Sequence, residues 1–244
     1  FLLLFLAFGL VFIFGLDLLA QLPSTQFLLY LAGFSVLIAS LIAMRQDNLK
    51  ARLAYSTVSQ LGYITIGALL ATSSGVIGSA MHIAMHAFGK ITLFFCAGAI
   101  LVAAHKSKIS EMHGLGRQMP FTMAAFFIAT LSIIGLPPTG GVWSKWYLLM
   151  GTLETEQFIM MTVLMISSLL NIAYLLPIPF HAFFPKNSNN NDQFPDSALT
   201  KVKIKEAPLA SLIAIGIATL GCLILFIYPQ ALYELAAAAL EHEK

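Results

Sequence analysis

Between Phe1 and Tyr228 the chain returns repeatedly to apolar runs about twenty residues long, separated by short polar connections. A helix of that length spans the roughly 30 Å hydrocarbon core of a bilayer. An open strand or loop there would leave backbone N–H and C=O groups unpaired, so repeated runs of this size force an all-α, polytopic membrane protein. Windows of twenty residues divide residues 1–228 into seven expected segments, about 1–20, 26–44, 52–72, 75–103, 120–153, 157–185 and 207–228, and leave 229–244 as a short C-terminal tail. Composition agrees, because charged residues make up only 10% of the 244, against roughly 25% in soluble domains.

The formal charge of +2 is too small and too scattered to hold nucleic acid. Cys96 and Cys222 lie far apart in apolar runs and read as small core residues, so neither a disulfide nor a metal site is expected, and no cofactor is implied. Phe1 opens directly on an apolar run without Met or a basic flank, so this run does not read as a signal peptide; the expectation is the later part of a longer chain. Residues 187–197, NSNNNDQFPDS, read as a mobile polar loop.

Ten of the thirteen Lys and Arg fall in alternate connections: Arg45, Lys50 and Arg52; Lys106, Lys108 and Arg117; Lys186, Lys201, Lys203 and Lys205. Lys244 falls on the other side. The positive-inside rule then places those three connections in the cytoplasm and the C-terminus outside.

The fifth run, 34 residues long, contains GLPPTGG at 135–141. Pro137 and Pro138 remove backbone donors, while Gly140 and Gly141 permit unusual dihedrals, so a broken helix is expected, roughly 121–136 and 142–153, interrupted near 137–141. Such a break must be buried in protein or line a wet cavity.

In the fourth run, MHIAMHAFGK places His82, His86 and Lys90 four residues apart. Each step of four drifts only about 40° around a helix, so the three form one stripe about 12 Å long. A lysine at mid-membrane is costly and faces a bundle interior or an aqueous path; burial brings its proton release toward neutral pH, where histidine already titrates. The stripe thus has the chemistry of a proton relay; the alternative is a set of hydrogen-bonded core residues bracing the bundle, with Lys90 in a packing salt bridge. Lys145, just past the break in VWSKW, is either a second buried protonatable group or an interfacial lysine beside Trp143 and Trp146. Lys50 opens DNLKARLAYSTVSQLGY, and its position alone favours a solvated lysine. Ser56, Thr57, Ser59 and Gln60 serve either as packing glue or to hold water.

Four stretches in order, DNLKARLAYSTVSQLGY, HIAMHAFGKITLFFCAGAI, HGLGRQMPFTMAAFF and LSIIGLPPTGGVWSKWYLL, resemble the antiporter-like subunits shared by Mrp-type monovalent cation/proton antiporters and respiratory complex I. The resemblance covers about residues 45–183. It implies that His82, His86 and Lys90 are the central histidine–lysine stripe, that Lys145 is the terminal residue on the broken helix, and that Lys50 belongs to the same polar axis. With Lys145 in PPTGGVWSKWYLL the chain looks most like the D-type branch of the Mrp antiporter subunits, a proton-pumping subunit of complex I or of a related hydrogenase complex being the alternative. By the same resemblance the chain is the second half of an inverted-repeat subunit in the inner cell membrane, moving protons and Na⁺ or K⁺ beside other membrane subunits.

Overall fold

The computed structural model describes residues 2–184 and 204–241. The polar loop expected at 187–197, together with Lys186, Lys201, Lys203 and Lys244, lies outside the described residues. The regular elements are α1 (Leu2–Gln21), α2 (Pro23–Arg45), α3 (Leu49–Leu69), α4 (Ser73–Ala104), α5 (Pro120–Ile134), α6 (Gly141–Glu154), α7 (Phe158–Leu175), α8 (Pro177–Phe183), α9 (Leu209–Ile227) and α10 (Gln230–Glu241), with short 3-10 turns between α4 and α5. No strand forms among the described residues, although Asn48 and Lys108 make one isolated antiparallel bridge.

Four helices are long and apolar enough to cross a membrane: Pro23–Arg45, Ser73–Ala104, Phe158–Phe183 (α7 continued by α8) and Leu209–Ile227. α3 is as long but far more polar, and twelve of its residues are buried, Ser56, Ser59 and Gln60 among them. The face that carries these hydroxyls and amides packs against α2 and α4, while Tyr55 and Val58 on the other face lie exposed. The run at 1–20 is less regular than its hydropathy suggests, because Gly15, at φ 69° and ψ 166°, interrupts α1. α7 ends at Leu175, just ahead of Pro177. The C-terminal tail forms α10, whose Leu232, Tyr233 and Ala236 pack against Ile77, Met81 and Met85 of α4.

Apolar surface alone gives helices little reason to associate in lipid, so close packing and polar contacts must hold the bundle together. Gly78 provides one close approach: a Cβ there would lie 2.8 Å from the Leu148 nitrogen, so α4 and α6 touch backbone to backbone. Three hydroxyls, Ser40 of α2, Ser59 of α3 and Ser167 of α7, lie within 2.9–3.3 Å of one another and tie those helices at a fully buried point.

The α2–α3 connection, the α4–α5 connection and the described residues ahead of α9 are joined at one end of the bundle. Asp47 accepts from the amide and the hydroxyl of Ser110 (3.0 and 2.8 Å), and Leu49 N donates to the Ser107 carbonyl, joining the α2–α3 connection to the α4–α5 connection. Lys205 N donates to the Gln118 carbonyl, and Glu206 accepts from Phe121 N and from the Thr122 hydroxyl (2.8 and 2.6 Å), capping α5 from across the chain.

Candidate functional site

The helix break falls where the two prolines and following glycines put it: α5 ends at Ile134, Gly135 turns out at φ 88°, and α6 begins at Gly141. Gly141 is required by packing, since a Cβ there would overlap the Ser132 carbonyl oxygen. The break is not buried throughout. Gly140 and Gly141 are, with Gly140 N donating to the Cys222 carbonyl at 3.0 Å, but Pro137 and Pro138 lie exposed. Exposure there leaves no donor unpaired, because proline has no N–H.

The freed carbonyl of Ile134 is taken by Lys145, whose Nζ donates to it at 2.9 Å and to Ser168 Oγ of α7 at 3.0 Å. The same ammonium lies 4.9 Å from the centroid of the Tyr63 ring. Lys145 is 8% exposed, whereas the neighbouring Trp143 and Trp146 point outward, so the lysine does not snorkel with them. A cavity of about 330 Å³, lined by Tyr63, Gly135, Lys145, Trp146 and Ser168, opens beside it.

From Lys145 the polar groups continue as a stack. The Tyr63 ring lies 5.7 Å from that of His82 and 15° from parallel, and His82 lies 6.0 Å from His86 at 14°. His82 Nδ1 is 2.8 Å from Ser144 Oγ, beside Lys145 on α6, and its Nε2 is 3.1 Å from Gln60 Oε1. With Gln60 Oε1 accepting, Nε2 is the donor of this pair, and the Ser144 hydroxyl, which also reaches the Gly141 carbonyl at 3.2 Å, sits on Nδ1. One turn beyond His86, Lys90 Nζ donates to Ser56 Oγ at 2.6 Å and to the Leu53 carbonyl at 3.3 Å. Ser56 Oγ is 3.0 Å from the Tyr174 hydroxyl, which also meets Asn171 Oδ1.

The structure therefore brings Lys90, His86, His82 and Lys145 together in one buried row. The partners of both lysines are hydroxyls and carbonyls rather than carboxylates. Lys50 is not joined to this row; it is exposed at the start of α3, as its position alone suggests. Several buried polar atoms around the row have no protein partner: Gln60 Nε2, His86 Nε2, Thr130 Oγ1, Ser132 Oγ and Asn171 Nδ2. Such atoms in protein interiors are ordinarily satisfied by water, and water between fixed groups is what proton transfer over several ångströms requires. Among the described residues no cluster of three His, Cys, Asp or Glu could hold a metal ion.

Sequence reasoning passed over Tyr63, Ser144, Ser168, Asn171 and Tyr174. The α7 members carried a readable signal: Ser167, Asn171 and Tyr174, at i, i+4 and i+7, fall on one helix face.

Fold and site together define a polytopic helical membrane protein with a broken helix and a buried file of protonatable groups. Residues 2–171 match the family described as NADH:quinone oxidoreductase/Mrp antiporter, TM, and the chain belongs to that family. It is 39% identical over 161 residues to the N-type subunit of NADH-quinone oxidoreductase of Desulforudis audaxviator, covering 66% of this chain and 32% of that protein. It is 30% identical over 190 residues to the D-type subunit of the Na⁺/H⁺ antiporter of Alkalihalophilus pseudofirmus, covering 78% of this chain and 38% of that one. The chain thus spans about a third of the length of these relatives. Its fold matches a chain of the Mrp complex from Dietzia sp. with a TM-score of 0.79 at 22% identity, over 90% of this chain and 47% of the other.

Proposed function

We propose that this chain conducts protons along Lys90, His86, His82 and Lys145 as part of a hetero-oligomeric membrane complex that couples proton flow to a second process. The observation that carries this reading is a lysine at each end of a histidine pair, both buried and both held by uncharged acceptors. Each lysine gains or loses a proton without breaking an ion pair, and protonation of one disfavours protonation of the other. A purely structural brace has no use for two buried cations lacking counter-ions. The deciding experiment is proton translocation in inverted vesicles of the full complex with Lys90→Ala or Lys145→Ala; full rates in both assembled variants reject the relay.

In the antiporter reading the coupled process is exchange of Na⁺ or K⁺, favoured by Lys145 in PPTGGVWSKWYLL. A second reading, a proton-pumping subunit of an NADH–quinone oxidoreductase, is favoured by the higher identity to an oxidoreductase subunit, 39% against 30% for the antiporter subunit. Sodium-dependent exchange by a complex devoid of quinone reductase activity decides for the first.

Seven crossings in the inner cell membrane, with the basic end cytoplasmic and the C-terminus outside, complete the proposal. α1, α3 and the α5–α6 pair supply the crossings beyond the four long apolar helices. A cysteine at Ser107 labelled from outside the cell overturns this orientation.

A further inference from the structure

The chain of groups behind Lys90 ends on a side chain that can face either way. Lys90 Nζ, Ser56 Oγ, Tyr174 Oη and Asn171 Oδ1 follow one another at hydrogen-bond distance, the first two steps being 2.6 and 3.0 Å. Ser56 and Asn171 are fully buried and Tyr174 is 1% exposed, and Arg52 Nη1 holds the Tyr174 carbonyl at 2.9 Å, so these heavy atoms are fixed. Each hydroxyl has one proton to donate, and the Asn171 oxygen has none. The single Tyr174 proton is within reach of both Ser56 Oγ and Asn171 Oδ1; when it goes to Asn171, Ser56 donates to Tyr174 and accepts from Lys90.

The other end of the same carboxamide, Asn171 Nδ2, is buried and has no hydrogen-bond partner. The terminal torsion of asparagine is roughly two-fold, and a half-turn exchanges oxygen for nitrogen within nearly the same outline. After that half-turn Nδ2 donates to Tyr174, Tyr174 donates to Ser56, and Ser56 is left with its proton pointing at Lys90. An ammonium cannot accept it; a neutral amine can.

Resting on the relay reading, we propose that Asn171 is a positioning residue that switches Lys90 between its two charge states. With its oxygen on Tyr174 the chain accepts from the Lys90 ammonium; with its nitrogen there the chain donates to the neutral Lys90 amine. No heavy atom outside the amide needs to move. The proton that Lys90 gives up passes along the row toward His86, and the side chains behind Lys90 only reverse their hydrogen bonds. Both charge states of a buried lysine are thereby solvated by one set of side chains, which lowers the barrier between them. A residue that only accepts, such as aspartate, holds the chain in one direction and keeps Lys90 charged.

The test is the pH profile of proton translocation by the full complex in inverted vesicles, with assembly checked on a native gel. Asn171→Asp is expected to slow turnover about tenfold at neutral pH and to displace the profile toward alkaline pH, because Lys90 then releases its proton only at higher pH. In Asn171→Asp combined with Tyr174→Phe the carboxylate remains but the chain is cut, and the displacement is expected to vanish. A displacement that persists is a through-space charge effect and overturns the switch, as does an undisplaced profile of assembled Asn171→Asp. If Asn171→Asp does not assemble, Tyr174→Phe alone decides: about tenfold lower turnover supports the switch and wild-type turnover overturns it. Lys90→Ala separates the two readings. Wild-type turnover there defeats the relay itself, whereas an inactive Lys90→Ala beside an undisplaced Asn171→Asp defeats only the switch.

Discussion

Lys145 Nζ lies 2.9 Å from the carbonyl oxygen of Ile134, the last residue before the helix break. That carbonyl belongs to the C-terminal end of α5, where unpaired carbonyls and the helix dipole favour a positive charge. Lys145→Ala removes both the protonatable group and the partner of a buried acceptor, and translocation in vesicles is expected to be abolished. Lys145→Glu is expected to retain part of the activity, since a protonated carboxyl can still donate to Ile134 and still exchange its proton. Equal rates for wild type and Lys145→Ala would leave Lys145 a packing residue only.

The two histidines are held differently. His82 has a partner on each ring nitrogen, whereas His86 Nε2 has none. His82→Ala and His86→Ala are each expected to lower translocation severalfold, water replacing one imidazole in the row. The double variant is expected to fall below the product of the single effects, because a gap of two helical turns exceeds what one bridging water spans. Independent, multiplying effects in assembled complexes would show that the rings do not act in series.

Much of this arrangement was legible in the sequence because lipid allows so few solutions. The bounds of α2, α4 and α9 follow from apolar run length, and the break between α5 and α6 from GLPPTGG. The stripe of His82, His86 and Lys90 follows from spacing four. What could not be read was which neighbours meet it: Ser144 reaches His82 only because Gly78 lets α4 and α6 approach, and Ser56 reaches Lys90 through the α3–α4 packing. Serines are common in membrane helices, so Ser168 and Ser56 do not stand out until a lysine is seen to point at them. The helical tail α10 was missed because ELAAAAL is too short for a span, and its burial depends on α4. Lys50 shows the opposite case, a residue that resemblance draws into the axis and that the fold leaves at the surface.

Gly141→Ala tests the packing of the break. The added methyl would overlap the Ser132 carbonyl oxygen, which is backbone and cannot rotate away. Separating α5 from α6 is expected to cost about 1–3 kcal/mol or more and to lower the melting temperature of the complex in detergent. Because the same shift carries Lys145 away from Ile134, translocation is expected to fall as well. An unchanged melting temperature would show that the two half-helices are not in contact at this point.

Asp47 links two connections at the basic end, and the bonds from the Ser110 hydroxyl and amide hold its carboxyl below the ordinary value of 3.8. A carboxylate whose folded-state pKa is depressed stabilises the folded form fully above its unfolded value and loses that contribution as pH falls through the folded one. Amide protection at Ile109, Ser110 and Leu49 is therefore expected to be level across neutral pH and to decline only below 3.8. Asp47→Asn is expected to flatten that decline. A decline that begins well above 3.8 would show that Asp47 is not its source.

Lys90→Arg separates proton transfer from charge alone. Lys90 is 5% exposed, and its Nζ is fixed by Ser56 at 2.6 Å and by the Leu53 carbonyl. If the position needs only a permanent positive charge to hold those acceptors, arginine supplies it, with more donors than lysine. If Lys90 must release its proton during each turnover, arginine fails, because a guanidinium stays protonated throughout the physiological range. The relay predicts that Lys90→Arg assembles and is as inactive as Lys90→Ala. The guanidinium fork is broader than an ammonium, so assembly of Lys90→Arg is the check that the site admits it, and Lys90→Met, of similar length, shows what loss of the protonatable group alone does. Assembly of both variants on a native gel, with translocation lost in both, places the defect in proton release. Full translocation by an assembled Lys90→Arg complex would make Lys90 a fixed charge and end the relay reading.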